Sequence, residues 1–171
     1  MISNLNELSQ IIKDAQKEGK KVVLATGTFD LLHYEHVKYL EGAKKQGDIL
    51  VVGLKDNKGA GVKGNGRPII DEQQRIGIVD AIRYVDYSFL AEYNPDTILE
   101  VEVDNNKQKE WLYSFQEAFK VLRPDILYFE DNEKLLSARK RVFEKYGIKG
   151  IEKPRGKGAS TTDIIEKIKN L

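Results

Sequence analysis

Short apolar runs alternate with amphipathic segments along the chain, which is typical of strands separated by helices. The apolar runs predict five strands at 22–27, 48–54, 84–90, 124–129 and 149–153. The segments with apolar residues at helical spacing predict helices at about 5–19, 32–45, 71–82, 133–146 and 162–170. Asn4 and Glu7 are spaced as a capping box for the first of these helices, and Pro95 with Asp96 predicts the start of a further helix.

Strands that are apolar on both faces and separated by helices indicate a parallel sheet covered on each side. The predicted fold class is therefore α/β, a doubly wound, Rossmann-like parallel sheet of about five strands with helices on both faces. Ligands of such sheets bind at the carboxyl ends of the strands. We therefore expect the functional residues just after Ala25, Leu54, Leu90, Phe129 and Lys153.

Segment 99–122 does not fit this alternation and is predicted to be a helical insertion. It is amphipathic in its second half and holds the only tryptophan of the chain. Two interpretations stay open: an extra helix that caps the core, or a dimer surface or substrate lid. The sequence has no internal repeat and no linker, so residues 1–171 are predicted to form a single domain.

Composition and charge exclude several classes of protein. The chain is 40% hydrophobic and 32% charged with a net charge of +1, so no basic field favours nucleic acid. No apolar run approaches the roughly 20 residues that a membrane span needs, and the first residues lack the pattern of a signal peptide. Without cysteine there are no disulfides or thiolate metal sites. We expect a cytoplasmic protein without nucleic-acid or membrane partners.

The only two histidines, His33 and His36, lie one helical turn apart behind a Gly-Thr-Phe-Asp turn that follows the first strand. A turn between a strand and a helix start presents free amide groups and the positive end of the helix dipole, which favour an anion. Two imidazoles at i and i+3 share one face and can donate to the same phosphate. The plainer alternative is a pair of surface histidines. A zinc site is excluded, because metalloprotease histidines are spaced i and i+4 and no cysteine is available.

A second candidate anion site lies near the end of the chain, in PRGKGASTTDIIEKI (154–168). Ser160 and Asp163 have the spacing of an ordinary capping box. Three hydroxyl residues and an arginine at a helix start also make a good polyphosphate cradle, so both interpretations can hold together.

These two segments carry a resemblance to a known family. GTFDLLHYEH (27–36) resembles the signature of nucleotidyltransferases built around a His-x-Gly-His motif, whose cytidylyltransferase-like branch reads Gly-Thr-Phe-Asp-Leu-Leu-His-x-Gly-His. That branch includes glycerol-3-phosphate cytidylyltransferase, the adenylyltransferase domain of ADP-heptose synthase and archaeal FAD synthetase. The second signature, Arg-Thr-Glu-Gly-Ile-Ser-Thr-Thr, is matched by Arg155, Gly158, Ser160, Thr161 and Thr162.

The stretch KGAGVKGNGRPIIDEQQR (58–75) strengthens the resemblance to the heptose branch. Gly59, Gly61 and Gly64 spell Gly-x-Gly-x-x-Gly, but the stretch does not open a helix as a dinucleotide motif would. It is similar to the Lys-Gly-x-Gly-Arg-Pro segment of the heptose adenylyltransferases, which is followed by a helix containing arginine. The matching cations are Lys63, Arg67 and Arg75; a solvated basic loop is the alternative. Asp86 also matches this branch, although a structural role explains it equally well.

The resemblance implies that a phosphorylated acceptor attacks the α-phosphate of a nucleoside triphosphate and that pyrophosphate leaves. It implies catalytic roles for His33, His36, Lys63 and Arg155, and contacts to substrate from Arg67 and Arg75. The implied nucleotide-binding residues are Gly27, Thr28, Phe29, Asp30, Glu35, Asp131, Gly158, Ser160, Thr161 and Thr162. It further implies Mg²⁺ carried with the nucleotide and not in a protein metal site, and a homodimer.

Two positions depart from the family pattern and leave the substrate open. Glu35 stands at the glycine of His-x-Gly-His, and Glu130 stands at a glycine that usually precedes Asp131. Three hypotheses remain: an adenylyltransferase of a heptose-like sugar phosphate, a CTP-dependent enzyme acting on a polyol or sugar phosphate, or a nucleotide-binding protein without catalysis. No side chain decides between ATP and CTP.

Overall fold

The computed structural model describes residues 4–62, 64–154, 156, 158 and 160–171. The elements in chain order are α1 (Leu5–Lys17), β1 (Val22–Gly27), α2 (Tyr34–Lys44), β2 (Ile49–Lys55), α3 (Asn57–Gly61), α4 (Glu72–Asp80), β3 (Tyr87–Ala91), α5 (Asn106–Leu122), β4 (Ile126–Glu130), α6 (Glu133–Tyr146), β5 (Lys149–Lys153) and α7 (Thr161–Lys169).

The five strands form one parallel sheet in the order β3-β2-β1-β4-β5. The predicted doubly wound fold with about five strands is confirmed. The chain builds outward from β1 to β3 in one direction and then returns to place β4 on the other side of β1. The point where the order reverses therefore lies between β1 and β4, and such a point opens a crevice at the carboxyl ends of the strands.

Each face of the sheet is covered by a separate apolar cluster. One face packs against α1, α5 and α6, with Leu8, Phe115 and Val142 among its buried residues. The other packs against α2 and α4, with Leu40 and Val79. Because both faces are covered, β1 is apolar on both sides, and its residues 22–25 are fully buried.

The helix predicted at Pro95 is wrong. The backbone there makes a turn, in which the amides of Asp96 and Thr97 donate to the side chain and the carbonyl of Asn94. The helix of this segment begins instead at Asn106, where the side chain of Asn105 accepts a hydrogen bond from the Gln108 amide at 3.1 Å. The short helix α3 was not predicted, since five residues are too few for a periodic pattern.

Helix α5 connects β3 to β4 and packs into the core, as the first interpretation of segment 99–122 expects. That this segment is an insertion stays a prediction. Trp111, Phe115 and Phe119 are buried, and the Trp111 and Phe119 ring centroids lie 5.1 Å apart. The first turns of α5 also reach the carboxyl edge of the sheet. In the described part of the chain, no helix is long and apolar enough to cross a membrane.

Candidate active site

A cavity of about 850 Å³ opens at the carboxyl edge of the sheet, where the strand order reverses between β1 and β4. This volume is in the range of small-molecule sites. Its walls come from the ends of β1, β2 and β4, from the first turns of α2, α5, α6 and α7, and from the loop before α4. Predicted site residues on these walls are Gly27, Thr28, Phe29, Asp30, His33, Glu35, His36, Arg67, Asp131, Gly158, Ser160, Thr161 and Thr162.

The turn after β1 has an unusual backbone. Phe29 and Leu31 adopt φ values of +52° and +43°, which non-glycine residues rarely do and which cluster at functional sites. The Phe29 ring is buried and folds back over Gly27, so that a Cβ atom there would lie 2.8 Å from a ring carbon. Glycine at position 27 is therefore required by the packing of Phe29 beneath the site.

The two histidines are adjacent on the cavity wall, with ring centroids 3.9 Å apart. His33 is the N-cap residue of α2, and its amide donates to Nδ1 of His36 at 3.3 Å. Because Nδ1 accepts this bond, the neutral His36 ring carries its proton on Nε2. The Phe29 ring packs against His36 at 5.4 Å between centroids. The pair is thus oriented by the turn that the sequence pattern identified.

Asp30 ties the turn to the loop that precedes α4. Its carboxylate is 4% exposed and accepts hydrogen bonds from the amides of Ile69 and Ile70 at 3.0 Å, with the Arg67 guanidinium at 3.4 Å. Burial alone would raise the pKa of Asp30, but the two amides and Arg67 together hold it below its ordinary value. The carboxylate of Asp30 therefore fixes the shape of the site, and its nucleotide-binding role stays a prediction.

Arg75 is not on the cavity wall, so the structure does not bring it to the predicted substrate. Its side chain is 1% exposed and donates to the carbonyls of Ile70, Thr28 and Lys55 at 2.9, 2.6 and 2.9 Å. A fourth bond reaches the Asn57 side chain at 3.2 Å. Arg75 joins the ends of β1 and β2 to the loop before α4. Its predicted contact with the substrate stays a prediction.

The second signature meets the first across the mouth of the cavity. The Thr161 hydroxyl donates to the carbonyl of Asp30 at 2.9 Å, and Arg67 donates to the Thr162 hydroxyl at 3.3 Å. Ser160 caps α7 in the predicted capping box with Asp163. The structure therefore brings together two segments that lie 131 positions apart along the chain. The predicted catalytic residues Lys63 and Arg155 lie outside the described residues.

Glu35 lies between the two signatures. Its carboxylate is so close to the backbone of the second segment that a Cβ atom at Gly156 or Gly158 would overlap it. Glu35 replaces the glycine of the first signature, and Gly156 and Gly158 in the second segment leave the space that its side chain occupies. The carboxylate forms part of the wall where phosphates are expected, at the first turn of α2.

The acids after β4 have different surroundings. Glu130 pairs with the Lys153 ammonium at 3.3 Å, and its carbonyl accepts a hydrogen bond from Arg139 at 3.0 Å. Asp131 is exposed on the rim, and its amide donates to the Lys153 carbonyl at 3.0 Å. The charge of Glu130 is thus largely neutralised, whereas the Asp131 carboxylate faces the opening.

Several cavity residues were missed by the sequence analysis. Lys55 directly follows Leu54, and the rule that ligands bind at strand ends should have identified it. Trp111 and Arg139 also line the cavity, from α5 and α6. Arg139 lies in a run of charged residues on an amphipathic helix, where the sequence gives no sign that it is buried. Among the described residues there is no group of three or more histidine or acidic side chains suited to a metal ion.

Comparison with known proteins agrees with this geometry. A family model described as cytidylyltransferase-like matches residues 24–167. The bifunctional protein HldE of Geobacter metallireducens is 37% identical over 171 residues, and that of Desulfatibacillum aliphaticivorans is 33% identical over 168 residues. These alignments cover 98% and 97% of this chain but 31% and 30% of the relatives, so the chain spans about a third of their length.

Solved structures show the same fold. The lipopolysaccharide core biosynthesis protein from Thermoplasma volcanium is 26% identical, with a TM-score of 0.58, covering 82% of this chain and 100% of that one. Pantoate-beta-alanine ligase from Francisella tularensis has a TM-score of 0.70 at 18% identity, covering 99% of this chain and 77% of that one, and shows the fold alone. The resemblance carried by the two signatures is confirmed, and the chain belongs to the cytidylyltransferase-like family.

Proposed function

We propose that this nucleotidyltransferase moves a nucleoside monophosphate from a nucleoside triphosphate to a small phosphorylated acceptor and releases pyrophosphate. The observation that carries the proposal is the meeting of both signatures around one cavity, with two imidazoles 3.9 Å apart on its wall. Family membership supports the same class of reaction.

The reaction needs positioning and charge stabilisation more than covalent help. An oxygen of the acceptor phosphate attacks the α-phosphorus, and the bond to the bridging oxygen breaks, so that pyrophosphate leaves with the electron pair. His33 and His36 donate to the phosphate oxygens on which charge accumulates. The N-terminus of α7 and Arg67 hold the leaving pyrophosphate, because amides at a helix start and a guanidinium both favour phosphate. The resemblance adds Lys63 and Arg155 as further cations.

Mg²⁺ is proposed as the partner of the nucleotide, where it would neutralise phosphate charge. The described residues supply no cluster of carboxylates for it, and the Asp30 carboxylate is already held by two amides and Arg67. Phosphate oxygens of the nucleotide would therefore be the main ligands of the ion. The residues present would fit such a nucleotide-borne ion, because His33, His36 and Arg67 would hold the phosphates and leave the ion to phosphate oxygens and water.

The acceptor that we propose is a sugar phosphate with ATP as the donor, as in the heptose-phosphate adenylyltransferases that the sequence resembles. Identities of 33–37% to HldE proteins over nearly the whole chain support this choice. A CTP-dependent enzyme acting on a polyol or sugar phosphate is the alternative within the same class. A nucleotide-binding protein without catalysis is the third candidate, and the Glu35 carboxylate on the phosphate wall favours it.

We also propose a homodimer in the cytoplasm. The dimer is supported by an apolar surface groove lined by residues of the turn after β1, of the loop before α4, and of α4 and α7. Ile78 and Ile168 expose 42% and 59% of their surface there. Light scattering of the purified protein tests the dimer; a monomer mass at micromolar concentration contradicts it.

The function is tested by pyrophosphate release with Mg²⁺, crossing ATP and CTP with a panel of sugar and polyol phosphates. We expect release that depends on one nucleotide and one acceptor and that His36→Ala nearly abolishes. Lys38→Ala is the matched control, because Lys38 lies on the same helix but pairs with Glu41 on the surface. Nucleotide binding without release for any acceptor would instead support the non-catalytic candidate.

A further inference from the structure

The end of the cavity formed by α5 and α6 contains a buried cation whose hydrogen bonds are largely unmade. Arg139 is 7% exposed, yet its side chain lines the cavity. Its guanidinium lies over the Phe129 ring at 4.2 Å and near the Trp111 ring at 5.8 Å. In residues 4–62, 64–154, 156, 158 and 160–171, its one hydrogen-bond acceptor is the Glu130 carbonyl, and Nε is buried without a partner.

Comparison with Arg75 shows how unusual this is. Both arginines are buried, but Arg75 makes four hydrogen bonds that join three segments. A guanidinium has five N–H donors, and buried charges in folded proteins are normally paired. Within the described part of the chain, no carboxylate oxygen lies within 4.0 Å of Arg139. A cation with a purely structural role is expected to have its N–H donors paired, as those of Arg75 are, and not to lie beside a cavity with most of them unpaired.

Arg139 is charged at neutral pH. Burial lowers its pKa to about 10, while the more distant charges of Tyr39, Glu152 and Asp131 act in the opposite direction. The positive charge is therefore present when a ligand arrives, and an anion at this point would gain a partner that the protein does not supply.

The groups around Arg139 indicate what carries the anion. Glu110, Asp131 and Glu133 line the same end of the cavity together with Lys107 and Lys134. Carboxylates accept hydrogen bonds from hydroxyl groups. Trp111 adds an apolar face beside them. A buried cation for one anionic group, with carboxylates alongside that can accept hydrogen bonds from several hydroxyls, suits a polyhydroxylated phosphate ester.

We propose that the α5–α6 end of the cavity is the acceptor subsite, and that Arg139 binds the phosphate of a sugar-phosphate acceptor. This inference rests on the proposed function. The nucleotide then occupies the other end, where the histidines, Arg67 and the start of α7 converge. Helix α5, through Glu110 and Trp111, contributes to acceptor recognition.

The single tryptophan provides the test, because Trp111 lies beside Arg139. Its emission is recorded while the protein is titrated with inorganic phosphate and with glucose 1-phosphate, against chloride at matched ionic strength. We expect a saturable change whose dissociation constant rises at least tenfold in Arg139→Met and less in Arg139→Lys, which keeps the charge. Arg141→Met is the control, since Arg141 is on the same helix but pairs with Asp104 on the surface. Equal phosphate affinity of Arg139→Met and the unaltered protein overturns the proposal.

A kinetic measurement separates this proposal from the proposed function. With the acceptor found by pyrophosphate release, Arg139→Met should raise the KM for that acceptor at least tenfold and leave the KM for the nucleotide unchanged. A rise in the nucleotide KM alone would assign this end of the cavity to the nucleotide and overturn the subsite, while release of pyrophosphate still upholds the reaction. If no acceptor supports release, the reaction fails, and the fluorescence titration still decides the subsite.

Discussion

The free energy of unfolding is expected to fall strongly in Arg75→Met and to change little in Arg139→Met, although each arginine side chain is less than a tenth exposed. Methionine keeps much of the length and apolar volume but removes the charge and all five donors. In Arg75→Met, three backbone carbonyls and the Asn57 side chain lose their donor. In Arg139→Met, one carbonyl loses its donor and a buried unpartnered N–H is removed.

The size of each effect follows from these contacts. Four hydrogen bonds at about 0.5–1.5 kcal/mol each, with buried acceptors left unpaired, destabilise Arg75→Met by about 3–6 kcal/mol. For Arg139, one hydrogen bond is lost together with two cation–π contacts, to Phe129 at 4.2 Å and to Trp111 at 5.8 Å. The shorter contact accounts for about 0.5–2 kcal/mol. Methionine restores part of the ring contact, and removing an unpaired buried charge is itself favourable. Arg139→Met should therefore lie within about 1 kcal/mol of the unaltered protein, or be more stable.

Urea unfolding followed by circular dichroism measures both values, provided that the slope of free energy against urea is unchanged. Added phosphate should stabilise the unaltered protein by mass action, by about 2.7 kcal/mol at one hundred times its dissociation constant. The same phosphate should stabilise Arg139→Met far less. If Arg139→Met is destabilised as much as Arg75→Met, Arg139 is a structural cation and the reasoning is refuted.

Three further predictions concern the wall formed by the two signatures. His36→Ala should slow pyrophosphate release by about 10²–10³, because a charge-stabilising donor is lost. The lowered pKa of Asp30 stabilises the fold above the unfolded carboxyl pKa of about 3.9, and this contribution is lost as the pH falls through the folded pKa. Urea unfolding from about pH 7 to pH 3 should therefore show a steeper acid loss in the unaltered protein than in Asp30→Asn. Glu35→Gly should tighten ATP binding by roughly threefold to tenfold at low salt, and less at high salt, by calorimetry.

Each of these predictions has an outcome that contradicts it. Near-normal turnover of His36→Ala removes that residue from catalysis. Parallel pH profiles for Asp30→Asn and the unaltered protein would mean that the buried carboxylate gains nothing from its amide partners. Weaker ATP binding in Glu35→Gly, at any salt concentration, would mean that Glu35 helps to hold the nucleotide instead of repelling it.

The sheet was predictable because its strands are buried on both faces and therefore appear as uninterrupted apolar runs, such as 22–27. The two signatures were predictable because their glycines and hydroxyl residues have fixed spacing. The partners of Asp30 were not, since Ile69 and Ile70 lie 39 and 40 positions away and contact it only through the loop before α4. Spacing along the sequence does not show which distant residues meet in the fold, so these hydrogen bonds could not be predicted.

The two arginines show a second limit. Arg75 was expected at the substrate because the resemblance placed it in a helix near the phosphate site. Its burial and its hydrogen bonds to three backbone carbonyls could not be predicted from that resemblance. Arg139 stands beside Lys140 and Arg141, and such a run normally indicates a solvated helix face. Its burial depends on α5, which covers that face and brings Trp111 against it. Proline is common at the first position of a helix, so Pro95 predicted a helix start. The chain instead turns at residues 94–97, and the helix begins only at Asn106.

Helix α7 has no buried residue along its whole length. Its polar ties to the rest of the protein include the Thr161 hydroxyl on the Asp30 carbonyl and the Thr162 hydroxyl on Arg67. A polyphosphate bound at its N-terminus adds to these few ties, so ligand occupancy and helix docking are thermodynamically linked. If docking of α7 raises the nucleotide affinity by some factor, bound nucleotide raises the equilibrium constant for docking of α7 by the same factor. Under the proposed reaction, the release of pyrophosphate would therefore also loosen α7 and couple the opening of the site to the end of each turnover.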